Sequence, residues 1–213
     1  MTASLRHPPQ PQRSVAGLHA SALTPLAPNP LASTPLAAEL VHGSQSLRLV
    51  AQPEGLLQVH TAPFRGSFAV VFSQALRAAG LGSRVLISQF LKGGVDQGVQ
   101  RSLTLCGRLQ WLRPAVPACL DGPLPADPEL ASAAQAVAEV WDYTREQLLS
   151  GMVDLMVLDE LGLAIAYGYV ALEEAIEALQ CRPAQMDVIL TGPSIPADLV
   201  AMADQVTQLR RGF

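Results

Sequence analysis

Hydrophobic residues from Gly55 onward form short, nearly continuous runs that alternate with segments of helical spacing. The clearest runs cover residues 56–61, 84–91, 153–160 and 186–191. Short runs without polar alternation are typical of strands that are covered on both faces of a parallel sheet. We therefore predict a three-layer α/β domain, with a mostly parallel sheet and helices on both faces.

The segments between these runs complete the pattern of alternating strands and helices. Apolar spacing and end signals predict helices over residues 68–79, 129–149, 169–179 and 196–203. Weaker strand signals lie at residues 103–106, 109–112 and 205–209. Residues 114–128 are interrupted by prolines and are predicted to form a loop.

The N-terminal part of the chain has a different composition. Residues 1–35 contain seven prolines among Ala, Ser, Thr and Gln, without an apolar period. Such a segment cannot bury enough surface to offset its ordering entropy, so we predict a disordered tail. The folded domain is expected to span residues 36–213, and residues 36–51 are compatible with a short helix or an edge element.

Charge and cysteine content narrow the function classes. The net charge is −4, no run of Lys or Arg occurs, and Lys92 is the single lysine beside thirteen arginines. We therefore expect no nucleic-acid partner. No apolar stretch is long enough to span a membrane and the N-terminus lacks the apolar core of a secretory signal, so we expect no membrane partner and a cytoplasmic location. The three cysteines do not have the spacing of a zinc site.

The candidate site lies where the predicted strands end. In open parallel sheets, ligands bind outside the carboxyl ends of the strands. The segments that follow these ends are residues 60–68, 89–94, 159–162 and 191–194.

These segments carry a resemblance to a known family. The blocks are GLLQVHTAPFRGSFAVVFSQALRAAGLG (55–82), RVLISQFLKGG (84–94), DLMVLDELGLAIAYGYV (154–170), Arg182-Pro183, VILTG (188–192) and ADQVTQL (203–209). In this order and spacing they resemble the P-loop-type corrinoid adenosyltransferases, which transfer an adenosyl group from ATP to the cobalt of a reduced corrinoid. The resemblance implies a P-loop NTPase fold. It also makes a homodimer possible.

The resemblance also implies which residues belong to the site. The phosphate or corrinoid site, or its remnant, would include Thr61, Arg65, Gly66, Lys92, Thr191 and Gly192. Asp159 and Glu160 correspond to the acids that face the metal and the nucleotide, and Glu160 would be the catalytic candidate in an active enzyme. The same acids can instead persist as a remnant of the fold that hydrogen-bonds neighbouring loops. Gly162 stands where the family usually has Asn.

The phosphate-binding loop departs from the family pattern T-G-x-G-K-G-K-T-T. The corresponding segment Thr61–Ala69 reads TAPFRGSFA, so Ser67 replaces the phosphate-binding Lys and Phe68 replaces the Mg²⁺-binding hydroxyl. Pro63 lacks the N–H that a phosphate would need, and Pro193 replaces an Arg after the last T-G turn. We therefore predict that the Walker A loop is degenerate and that ATP binding is lost.

Three functions follow from these observations. The first is a non-catalytic relative that acts as a binding or scaffold protein. The second is a residual ATP:corrinoid adenosyltransferase of cobalamin metabolism, for which Mg-ATP and a corrinoid are the implied ligands. The third is a protein that binds an anion or another nucleotide at Arg65. For the first function, a protein partner is possible at the former nucleotide cleft, which is predicted to be lined by Pro63, Phe64, Phe68 and Pro193.

Overall fold

The computed structural model describes residues 54–66, 68–94, 98–124 and 131–210. The tail expected at residues 1–35 and the segment 36–51 lie outside these residues, as does Ser67. Among the described helices, none has the length and apolar character needed to cross a membrane.

Seven strands form one sheet. They are β1 (Leu57–Thr61), β2 (Val85–Gln89), β3 (Leu103–Leu105), β4 (Leu109–Leu112), β5 (Leu155–Asp159), β6 (Asp187–Gly192) and β7 (Gln205–Gln208). The strand order is β3-β4-β2-β5-β6-β1-β7, and every neighbouring pair is parallel except β3 and β4. The mostly parallel sheet predicted from the sequence is confirmed.

The helices of the described residues connect the strands. They are α1 (Ala69–Gly80), α2 (Ala131–Ser150), α3 (Leu161–Ala166), α4 (Leu172–Gln180) and α5 (Ala197–Ala201), and a 3-10 turn covers Val99–Arg101. Helix α3 was not predicted from the sequence, and α4 begins at Leu172, three residues after its predicted start at residue 169. Since α3 is only six residues long and mostly buried, its sequence LGLAIA lacks a polar face that would indicate a helix.

Side chains of the central strands enter two separate cores, one on each face of the sheet. On one face, Ala75 of α1 packs in a cluster with Ile87 and Val157. On the other face, Leu86 and Leu158 pack in a cluster with residues of α2, α4 and α5. Burial on both faces explains why the central strands are almost continuously apolar.

The register of the sheet brings the predicted strand ends together. Gln89 at the end of β2 is paired with Asp159 at the end of β5, which is paired with Thr191 of β6. Thr61 at the end of β1 is paired with Gly192. Four strands therefore present their carboxyl ends side by side, and we refer to this as the carboxyl edge of the sheet.

Candidate functional site

Glu160 lies at the centre of the carboxyl edge in an uncommon backbone conformation. It follows β5 directly, has a φ of 62° and is 1% exposed. Its N–H donates to the carbonyl of Thr191 at 2.8 Å, which fixes this left-handed turn. Gly192 has a φ of 124°, and a Cβ there would lie 3.1 Å from the Cα of Glu160. Glycine is therefore needed at position 192 for both its conformation and its close packing.

Two basic side chains bind the buried Glu160 carboxylate. Arg65 donates from Nε to Oε1 at 2.7 Å and from an Nη to Oε2 at 2.8 Å. Lys92 places its Nζ 3.0 Å from Oε1. The forked pair with Arg65 and the second cation, Lys92, offset the free-energy cost of removing the Glu160 carboxylate from water.

Arg65 uses all of its hydrogen-bond donors within the described residues. Beyond the two bonds to Glu160, it donates to the carbonyls of Leu120 at 2.9 Å and Leu91 at 3.1 Å, and to the carboxylate of Asp121. A guanidinium has five N–H donors, so none is left for an added anion. The hydrogen bonds to Glu160 raise the pKa of Arg65 above its ordinary value, which keeps the side chain charged.

Asp159 belongs to a second, separate hydrogen-bond network. Its carboxylate accepts from Thr191 Oγ1 at 2.6 Å and from Gln89 Nε2 at 2.6 Å. Burial raises the pKa of Asp159, although these two hydrogen bonds oppose the shift. Gln89 Oε1 in turn accepts from Trp111 Nε1 at 2.9 Å and from Arg113 Nε at 2.7 Å. Gln89, Trp111 and Arg113 were not predicted as site residues, and only their places near strand ends could have indicated them.

The carboxylate oxygens of both acids have hydrogen-bond or ion-pair partners within the described residues. Both oxygens of Glu160 are bound by basic side chains, and both oxygens of Asp159 accept hydrogen bonds. Among the described residues, no group of three His, Cys, Asp or Glu side chains could hold a metal ion. Because Mg²⁺ in nucleotide sites is usually held by one or two carboxylates together with water and phosphate oxygens, an ion bound here would have to compete with Arg65 and Lys92 for Glu160.

The loop that follows β1 buries its apolar replacements. Ala62 is 4% exposed and Phe68 is 3% exposed, and both belong to the core beneath α1. Phe68 was predicted to line the former nucleotide cleft, and at 3% exposure most of its ring packs inside the protein. The ring of Phe64 lies against Gly66, where a Cβ would be 3.2 Å from it. Thr61 accepts a backbone hydrogen bond from Leu209 at 2.8 Å, which ties the loop's start to the end of β7.

Residues 113–124, which we call the strap, lie over the turn that follows β2. Leu120 N–H donates to the carbonyl of Leu91 at 2.9 Å. A Cβ on Gly93 would lie 2.1 Å from the carbonyl oxygen of Ala118, so the turn and the strap touch backbone to backbone. Only glycine allows this approach.

The far end of the strap is attached to the turn after α3. Leu124 N–H donates to the carbonyl of Tyr167 at 2.8 Å, and Tyr167 Oη donates to the carbonyl of Asp121 at 3.2 Å. The sequence predicted only a loop interrupted by prolines in this region. Asp121 was not predicted as a site residue, because no local pattern indicates where such a loop packs.

Gly162 is explained by close packing as well. A Cβ at this position would lie 2.6 Å from the Cα of Ile195, in the segment that follows β6. Any larger side chain, including Asn, would push this segment away from α3. Glycine at position 162 therefore allows the 193–196 segment to pack closely against α3.

Comparison with known proteins identifies relatives for most of the chain. The family model described as "ATP:corrinoid adenosyltransferase BtuR/CobO/CobP" matches residues 53–212. The corrinoid adenosyltransferase of Escherichia coli K12 is 34% identical over 161 residues, which cover 75% of this chain and 79% of the relative. The corrinoid adenosyltransferase CobA of Salmonella typhimurium has the same identity and coverage. A corrinoid adenosyltransferase of Pseudomonas aeruginosa is 28% identical over 155 residues, which cover 73% of this chain and 74% of the relative.

Proposed function

The chain belongs to the ATP:corrinoid adenosyltransferase family, and from this premise we propose that it is a non-catalytic member that acts by binding rather than by adenosyl transfer. The observation that carries this proposal is the complete use of Arg65 by the protein itself. All five guanidinium donors are bonded to Glu160, Asp121, Leu91 and Leu120.

A triphosphate that contacted the Arg65 guanidinium would have to replace some of these bonds. Each hydrogen bond to a charged group contributes about 1.5–3 kcal/mol, so releasing several of them opposes nucleotide binding strongly. Separation of Arg65 from Glu160 would also leave a carboxylate beside the incoming phosphates, with only Lys92 to offset it. The favourable contacts that a P-loop lysine makes to the phosphates and a P-loop hydroxyl makes to Mg²⁺ are also missing, because Ser67 and Phe68 stand at these positions.

The same observation opposes the alternative that Arg65 binds a free anion. An arginine that recognises an anion must have donors that point toward it. Arg65 is 23% exposed, and its donors already have partners. An anion screen is therefore expected to give no binding that depends on Arg65.

The proposal is tested by calorimetry with Mg-ATP and, separately, with a corrinoid. We expect a dissociation constant for Mg-ATP weaker than about 1 mM. An assay with a reduced corrinoid and Mg-ATP should give no adenosylated product. The Escherichia coli relative is the matched positive control in both measurements. A micromolar dissociation constant for Mg-ATP, or turnover above the background without protein, would contradict the proposal.

Residual adenosyltransferase activity is the second candidate, favoured by the 34% identity to a protein named as such an enzyme. In that case Lys92 and Glu160 would be the remaining polar groups that position substrates. A single-turnover assay at high protein concentration separates the two candidates. Product that disappears in the Lys92→Ala variant would favour the second.

Restoration of two loop residues gives a further test. Ser67→Lys combined with Phe68→Thr is not expected to restore tight Mg-ATP binding, since Arg65 would still hold Glu160. The Thr side chain would also leave a cavity where the Phe68 ring is buried. Full recovery of micromolar binding by these two changes would show that the Arg65 contacts do not oppose the nucleotide.

A further inference from the structure

The structure assigns Arg65 the role of an internal ligand that holds the strap, residues 113–124, against the carboxyl edge of the sheet. This inference goes beyond the proposed function, because it holds whether or not the protein transfers adenosyl groups. It concerns how the edge of the sheet is closed.

Arg65 joins three segments that are far apart in the sequence. Its guanidinium binds Glu160 after β5, the carbonyl of Leu91 after β2, and Leu120 and Asp121 in the strap. The separations along the chain are 95, 26 and 55 residues for Glu160, Leu91 and Leu120. A group that bridges separate segments in this way does what a bound ligand does when it orders a loop.

The charges around Arg65 are balanced by groups of the protein itself. Arg65 and Lys92 face Glu160, and Arg65 also faces Asp121, so two cations meet two carboxylates. The neighbouring Asp159 is held separately by Thr191 and Gln89. Because the Glu160 carboxylate is buried, its attraction to Arg65 is screened less by water and salt than that of a surface pair.

The strap has backbone attachments that report on its closure. The N–H groups of Leu120 and Leu124 donate to Leu91 and Tyr167, at 2.9 and 2.8 Å. Both donors lie in the strap and both acceptors lie outside it. Exchange of these two amide hydrogens with solvent therefore requires the strap to open.

Amide hydrogen exchange measured by NMR on the full chain tests the inference. In Arg65→Lys the charge remains, but a lysine cannot reproduce the five donors of the guanidinium. We expect exchange at Leu120 and Leu124 to become faster by about tenfold or more, from the loss of at least one charged hydrogen bond. Central amides in β5 and β6 should change much less.

Arg84→Lys is the matched control. Arg84 forms a forked pair with Asp154 at the opposite edge of the sheet, outside the strap. We expect exchange at Leu120 and Leu124 to remain at the original rate in this variant. Equal acceleration in the two variants would overturn the inference, because the effect would then be a general loss of stability.

Asp121→Ala provides a second variant that is expected to fold, because the Asp121 side chain is 79% exposed. It removes one strap contact of Arg65 and leaves Glu160 untouched. We expect exchange at Leu120 and Leu124 to become about threefold faster, as for one partly exposed charged contact. Unchanged exchange in both Arg65→Lys and Asp121→Ala would overturn the proposed role of Arg65.

Discussion

The two ends of strand β5 carry the same kind of ion pair in opposite surroundings. Before the strand, Asp154 binds Arg84 through two side-chain hydrogen bonds, and both side chains are more than 40% exposed. After the strand, Glu160 binds Arg65 in the same forked manner but is 1% exposed. Since the pairing geometry is alike, we expect the difference in burial to decide how strongly stability depends on each pair.

The aspartates at these two ends also differ in the direction of their pKa shifts. The hydrogen bonds from Arg84 lower the pKa of Asp154 below its ordinary value. Burial raises the pKa of Asp159 above its ordinary value. The surroundings of Asp154 therefore favour its charged form, whereas those of Asp159, which has no basic hydrogen-bond partner, disfavour it.

The largest expected effect comes from Arg65→Ala at the buried end. The change leaves Glu160 with Lys92 as its remaining cation, and we expect the free energy of unfolding to fall by about 3 kcal/mol. Denaturant unfolding measures this loss. Adding Glu160→Gln should recover part of it, because the neutral amide removes the uncompensated charge. A loss no larger than that of Arg84→Ala would contradict the role assigned to burial.

Gly93→Ala tests the strap without changing any charge. The new Cβ would lie 2.1 Å from the carbonyl oxygen of Ala118, so the strap must shift. We expect a loss of about 2 kcal/mol in unfolding free energy, as for overpacking in a tight site. Gly80→Ala in α1 is the control, since a Cβ there meets nothing within 4 Å. A similar loss in both variants would mean that the close approach at Gly93 does not matter.

Asp159→Asn is expected to give a smaller effect that depends on pH. The pKa of Asp159 is raised in the folded state. Its contribution to the free energy of unfolding is therefore fully present below the ordinary value of 3.8 and is lost as pH rises through the folded pKa. The stability advantage of the original protein over the variant should therefore be larger at low pH than at pH 7. Unfolding measured from pH 3.5 to 7 checks the sign, and an advantage that grows with pH would contradict it.

The smallest effect is expected from Arg84→Ala at the exposed end. The folded pKa of Asp154 is lowered, so its contribution is present above the ordinary value of 3.8 and is lost as pH falls through the folded pKa. The midpoint of thermal unfolding should change little at neutral pH, and less still in high salt, which screens exposed charges. A large drop in the midpoint that does not depend on salt would contradict the expected difference in stability between the exposed and the buried ion pair.

Much of the fold follows from local patterns in the sequence. The continuous apolar runs predicted β2 and β5 because both strands are fully buried, and β4 was predicted with its observed bounds. The short helix α3 was missed, since a buried six-residue helix has no polar face to indicate it. Five of the eight predicted site residues lie at the carboxyl ends of strands or directly after them, namely Thr61, Asp159, Glu160, Thr191 and Gly192. Arg65 and Gly66 lie in the loop that leads to α1, and Lys92 lies in the turn after β2.

The sequence by itself determined the parallel α/β architecture and the resemblance to the adenosyltransferases, because both depend on short segments in a fixed order. Only the tertiary structure decided what the site residues do. Arg65 meets Glu160 across 95 residues of chain, and the strap meets Arg65 across 55. Such contacts depend on how loops pack at the edge of a finished sheet, and no local pattern of polar and apolar residues encodes that packing.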